Sequence, residues 1–169
     1  GRELPAKQGF GGIKTVYFAD YGTLGAVTVN ADGTIDAIAG SPVWFQYDIK
    51  GASSLETTIN SSRETGTTFY AQTLNLTLTY LEAATQQEIQ LLAINRPHLV
   101  VEDYLGNQFL CGLDNGVECT GGTIATGASA GDLSGFTLTF EGQEEKAPAF
   151  VDAGLITGSA TQIVPNTCA

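Results

Sequence analysis

The stretch Tyr70-Ala-Gln-Thr-Leu-Asn-Leu-Thr-Leu-Thr-Tyr80 decides the fold. Leu74, Leu76, Leu78 and Tyr80 alternate with Thr73, Asn75, Thr77 and Thr79, which predicts a strand with one apolar and one polar face. A slip of one residue in its pairing would carry every one of those hydrophobic side chains into water. The period then changes. Leu81, Thr85, Ile89 and Leu92 fall near one helical stripe, with Glu82, Gln86 and Gln90 pointing away, so Leu81–Ile94 is predicted to be a helix. Arg96-Pro97 ends it, because a residue before proline is biased out of the α region.

Upstream, Ile13–Ala19 reads as a strand preceded by an extended arm, Gly1–Gly12. Ala26–Asn30 and Thr34–Ile38 flank Ala31-Asp-Gly33, a hairpin signal because Asp and Gly tolerate positive φ. Val43–Ile49 and Ser54–Asn60 are β-rich, and Ser61–Gly66 is a polar turn segment. The span Ser41–Gly66 is expected to project as a long hairpin. Downstream, Leu99–Asp103 and Gln108–Gly112 flank a turn at Leu105-Gly-Asn107, and Asp114-Asn-Gly116 turns the chain into Val117–Thr120. Gly121–Gly135 is nearly all Gly, Ala, Ser and Thr and reads as a mobile or partner-ordered loop. Phe136–Phe140 alternates again. From Gln143 the chain reads as an arm suited to lying on a neighbour. About ten short strands and one helix imply a mainly β chain: an antiparallel β-sandwich or barrel with one flanking α-helix, extended loops and terminal arms. Residues 1–152 form one β-rich domain and residues 153–169 an extended C-terminal tail.

The chain has 169 residues, 43% hydrophobic and 15% charged, enough for one folded core. Its net charge is −11, from 18 acids against 7 bases. That argues against gripping nucleic acid, whose affinity comes from Lys and Arg neutralising phosphates. No apolar run approaches the roughly 18 residues needed to cross a membrane as a helix. The N-terminal residues Gly1–Pro5 lack the regions of a signal peptide. Cys111 and Cys119 lie symmetrically about Asn115 and are expected to face each other across a hairpin, as reduced thiols or, alternatively, as a disulfide.

Few residues suggest chemistry. The nucleophile-elbow, zinc-protease, Walker and dinucleotide motifs are missing from the sequence. His98 beside Pro97 has no marked partner and reads as structural. Glu102 and Asp103 point to opposite faces of a strand and read as a solvated strand end. Glu141, Glu144, Glu145 and Asp152 lack the spacing of a calcium loop. Asn60-Ser-Ser62 and Asn75-Leu-Thr77 match the glycosylation triplet but read as structural. Gly121-Gly122 has no basic residue near it, so it reads as a connection rather than a phosphate cradle. No catalytic, cofactor or metal site is expected, and the chain is not read as an enzyme.

The order Glu64-Thr-Gly-Thr-Thr-Phe-Tyr70, Leu74-Asn-Leu-Thr-Leu78 and a helix ending Leu91-Leu-Ala93 resembles phage tail tube (major tail) proteins. So do Val100-Val-Glu-Asp103, Gly106-Asn107 and Asn115-Gly-Val-Glu118, and then Thr126–Asp132 with Gly135–Phe140. The resemblance runs from Val43 to Asp152 and rests on order and spacing. It implies a self-assembling virion protein, found in the phage tail and assembled in the host cytoplasm. In that family, six subunits form a ring whose sheets join into a barrel. The rings stack into a tube that conducts DNA without specific binding, and other tail or neck proteins cap it. Thr73, Asn75, Thr77 and Thr79 are the candidate lumen-facing residues. Other readings of the same composition are a neck, tail-terminator or capsid-decorating protein, or a secreted β-sandwich that binds a ligand.

Overall fold

The computed structural model describes residues 1–4, 6–7, 9–49, 52–152, 154–156 and the backbone of 161–163. Among these, twelve strands and one helix form two sheets. The decisive stretch is β6, Thr67–Thr79, where Leu74, Leu76 and Leu78 are buried. It pairs antiparallel with β10, Gly135–Glu144, so that Leu78, Leu76 and Leu74 stand opposite Phe136, Leu138 and Phe140. Apolar cross-strand pairs of this kind are the unit from which a sheet draws its stability. Burying each of these leucines contributes about 1.5–3 kcal/mol. β5, Ser54–Ser62, and β9, Glu118–Ala125, flank the pair, giving the order β5-β6-β10-β9.

The larger sheet contains β1 (Ile13–Ala19), β2 (Val27–Val29), β3 (Thr34–Ile38), β4 (Trp44–Asp48), β7 (His98–Asp103), β8 (Gln108–Cys111), β11 (Ala149–Val151) and β12 (Thr161–Ile163). Its order is β12-β4-β1-β7-β8-β11-β3-β2. The β12–β4 and β11–β3 pairs are parallel and the rest antiparallel. One face of the sheet, with Val16, Phe18, Leu99, Val101 and Cys111, joins the inner face of the small sheet in one core. Phe18 and Phe140 touch across it with ring centroids 5.3 Å apart. The other face, with Tyr17, Trp44, Val100 and Leu110, forms a second core with Leu24 and Ile156. Burial on both faces explains why β1 and β7 read as near-continuous apolar runs. A bulge between Ile13 and Thr15 shifts the alternation, so Ile13 shares the first core with Val16.

The helix α1, Ala83–Ile94, buries Ile89 and leans Thr85, Glu88 and Leu92 toward the body. Glu88 accepts a hydrogen bond from Tyr47. No helix among the described residues is long and apolar enough to cross a membrane.

The architecture is sandwich-like rather than a closed barrel, and several expectations change with it. Tyr80 does not continue the apolar face of β6. It adopts φ 67° and is 65% exposed, which ends the strand and delays the helix to Ala83. Ser41–Gly66 is not a hairpin, because β4 pairs with β1 in the large sheet and β5 with β6 in the small one. The projecting hairpin is β5–β6. It pairs as far as Ser62 opposite Thr67, whereas β10 ends opposite Tyr70. Gly121–Ala125 is strand, not loop, hydrogen-bonded along β10. Cys111 and Cys119 do not face each other across a hairpin. They sit in different sheets as free thiols. The C-terminal part also returns to its own fold, through β11, the buried Ile156 and β12 along β4. Cys168 lies outside the described residues.

Candidate functional site

The outer face of the small sheet collects the four residues singled out in β6 with their neighbours on three other strands. One register row carries Glu56 of β5, Thr73 of β6, Glu141 of β10 and Glu118 of β9. The next carries Ser54, Asn75, Thr139 and Gly121, and the next Thr77, Thr137 and Thr123. Thr79 follows, opposite Gly135. Period-two alternation puts all of these on the side away from the core. Thr139 donates a hydrogen bond to Asn75 Oδ1 at 3.2 Å, and Thr77 is tied by its N–H to Ser53 Oγ at 3.0 Å. These rows hold neutral hydroxyls and amides crossed by a belt of three carboxylates, with no Lys or Arg. Glu118 and Glu141 stand directly opposite each other, an arrangement that destabilises an isolated sheet.

Both edges of this sheet are long. β5 has nine residues and β9 eight, and neither contains proline or lysine. Gly122 owes its identity to its neighbour on β10, since a Cβ there would stand 2.4 Å from the carbonyl of Thr137. Ile124 on β9 is 56% exposed.

The Gly112–Val117 turn, which joins β8 of the large sheet to β9 of the small one, is held from both sides. His98 Nε2 accepts from the Gly22 N–H at 3.1 Å, so Nδ1 carries the proton donated to the Gly112 carbonyl at 2.5 Å. Burial lowers the pKa of this neutral imidazole, against the Gly112 hydrogen bond and Asp114, which raise it. Tyr21 stacks on His98 with centroids 5.1 Å apart and Arg96 lies 4.8 Å over Tyr21. From the small sheet, Gln72 Oε1 accepts from the Gly112 N–H at 3.1 Å and Glu144 Oε1 from the Asn115 N–H at 2.9 Å. Glu144 is 5% exposed, and burial, with the Asp114 and Glu145 charges adding, raises its pKa against the Asn115 and Asp114 N–H groups, which lower it. The sequence carried a signal for this buried acid: the alternation of Phe136, Leu138 and Phe140 runs on through Gly142 to Glu144.

The other singled-out residues are committed to structure. Glu102 accepts from Tyr17 and Gln108, while Asp103 accepts from the N–H groups of Leu105 and Asn107. Burial pushes the Cys111 thiol up to about 12, out of the range of a nucleophile at neutral pH. No group of three His, Cys, Asp or Glu side chains suited to a metal occurs among the described residues. The chain matches no family model, no curated protein and no solved structure.

Proposed function

We propose that this chain is a structural virion subunit whose small sheets join edge to edge into rings. Stacked, these form a phage tail tube through which DNA is ejected. The observation that carries the reading is the four-stranded sheet itself: two long edge strands, with α1 packed beside β9, and outer-face rows that hold no Lys or Arg. All three pairings within it are antiparallel, so β5 and β9 run in opposite directions. The β9 edge of one copy therefore meets the β5 edge of the next in an antiparallel sense, and head-to-tail joining continues the same pattern. A ring closes when every edge is paired. Six copies, the number the tail tube resemblance implies, supply roughly 24 strands; at a tilt near 40° and about 4.8 Å per strand the ring is about 50 Å across between backbones.

With Thr73, Asn75, Thr77 and Thr79 lining the bore, DNA meets hydroxyls and a carboxylate belt from Glu56, Glu118 and Glu141. Such a wall makes no phosphate contacts that slow passage, and its charge keeps the strand centred. On this reading the β5–β6 hairpin, the N-terminal arm and the loop between β9 and β10 contact other rings and the neck or tail proteins. Electron microscopy of the purified protein tests the reading. Stacked rings or tubes with the β6 hydroxyls on the bore are expected. A discrete monomer, or tubes with that face outside, overturns it; single rings or trimers favour a neck, terminator or decoration role.

A further inference from the structure

One register row crosses six strands of the large sheet: Tyr47 of β4, Val16 of β1, Val101 of β7, Phe109 of β8, Phe150 of β11 and Thr34 of β3. Residues in such a row point to the same side of a sheet. Here that side is the core shared with the small sheet, which holds Tyr47, Val16 and Val101. These three are 8%, 0% and 2% exposed. Further along the row, Phe109 is half-buried and Phe150 is 50% exposed. Four strands cannot cover eight, and Phe109 and Phe150 lie on the part left over. Their rings pack on each other instead, with centroids 4.8 Å apart.

The gap between the sheets is closed on one side only. On the β9 side α1 fills it: Ile89 is buried, and Leu92 and Cys119 pack on the same core. On the β5 side a cleft of about 450 Å³ opens between Leu55 and Thr57 of β5 and Val101 and Phe109 of the large sheet. Two of its polar members are already engaged. Asp103 accepts from the Leu105 and Asn107 N–H groups, and Ser53 Oγ from the Thr77 N–H. The cleft thus offers mainly apolar surface, continued by Phe109 to Phe150. The β9 side carries surplus apolar surface of its own. Ile124 stands opposite the core residue Phe136, so it points to the inner side of its sheet, yet it is 56% exposed.

We propose that the strip from this cleft through Phe109 to Phe150 is the seat for a second copy of the chain, and that the part seated there is the β9–α1 side with Ile124. The inference rests on the edge-to-edge joining of small sheets proposed above and adds a second layer of contact to it. A copy whose β9 pairs with β5 continues the small sheet over the uncovered rows of the large one. Its Ile124 then points toward the large sheet, as Leu55 does. Its α1 arrives in the layer between the sheets, the layer into which Phe109 and Phe150 point. The open side of one copy takes the closed side of the next, which is the heterologous contact a ring requires. Backbone pairing by itself accepts any strand. A matching apolar contact behind it selects the β9 edge of a like copy.

Photo-crosslinking of the assembled full chain, with p-benzoylphenylalanine in place of Phe150, tests it. Half of the copies carry heavy isotopes, so that links between copies are told from links within one. Links from position 150 to β9 or α1 of another copy are expected. Phe150→Thr, at a half-exposed position of β11, should keep the dilute, unassembled chain within about 4 °C of the parent's unfolding midpoint. It should raise the concentration at which rings form at least about fivefold. Links confined to a chain's own residues, or running to another copy's N-terminal arm, overturn the seat while the rings remain. Assembly of Phe150→Thr at the parent's concentration does the same. A parent chain that never assembles instead removes the joining of the sheets, and the seat with it.

Discussion

The two sheets solve the problem of exposed edges in opposite ways. The large sheet is buried on both faces and ends in β2 and β12, each three residues long. The small sheet is buried on one face only and ends in β5 and β9, nine and eight residues long. Short edge strands are a known protection against unwanted pairing, and long flat ones invite it. One sheet is thus finished within the chain, while the other is left to be completed. The like-charged pair Glu118–Glu141 belongs to the incomplete sheet, where stability within one copy is not the sole constraint.

The largest expected effect separates the two edges. Ile124→Lys sets a charge on the β9 edge at a position already 56% exposed. It should abolish rings and tubes in electron micrographs while changing the stability of the single chain by no more than about 0.5 kcal/mol. Val29→Lys sets the same charge on β2, at a position 50% exposed on the large sheet's edge, and should leave assembly intact. Loss of assembly in both, or in neither, breaks the distinction.

Next in size is the core the sheets share. Phe140 belongs to the small sheet but touches Phe18 of the large one. Phe140→Ala should cost about 3–5 kcal/mol in urea unfolding, best measured in the monomeric Ile124→Lys background. A single transition is expected, because one core spans both sheets. Two resolved transitions would mean that the small sheet melts by itself.

The same contrast explains what could be read from the chain. Local patterns were legible where a strand has one wet face, as in β6 and β10, which alternate, and at tight turns, where Asp32-Gly33 joins β2 to β3 and Gly106-Asn107 joins β7 to β8. The helix was legible because its stripe at Thr85, Ile89 and Leu92 stops before Pro97. Pairing between distant segments was not. Val43–Ile49 and Ser54–Asn60 are neighbours in sequence, yet they enter different sheets, and nothing local in the sequence distinguishes such a pair from a hairpin. Gly121–Ala125 has the composition of a loop and becomes a strand because β10 supplies its hydrogen bonds, leaving room for glycine alone at position 122. Tyr80 fitted the alternation but takes a left-handed φ, a tertiary constraint tied to its N–H bond to the Ser134 carbonyl at 2.8 Å. Of the candidate surface, the β6 hydroxyls could be named from the sequence. The row joining Glu56 to Glu141 and Glu118 needed the register.

The smallest effects concern the turn between the sheets, where the two sides respond oppositely to acid. On the large-sheet side, the His98 pKa is lowered, so the unfolded chain binds its proton more readily. The stability due to neutral His98 is present above its ordinary value near 6.5 and is lost as pH falls toward the folded value. Protonation would also set Nε2–H against the Gly22 N–H. On the small-sheet side the Glu144 pKa is raised, so its contribution is present below 4.5 and is lost as pH rises through the folded value. His98→Gln should therefore flatten the loss of stability between pH 7.5 and pH 5, read as urea midpoints. Glu144→Gln, which keeps an oxygen for the Asn115 N–H, should be more stable relative to the parent at pH 7.5 than at pH 4.5. If both substitutions shifted the midpoint equally at every pH, the turn would be held by shape alone and neither proton would matter to it.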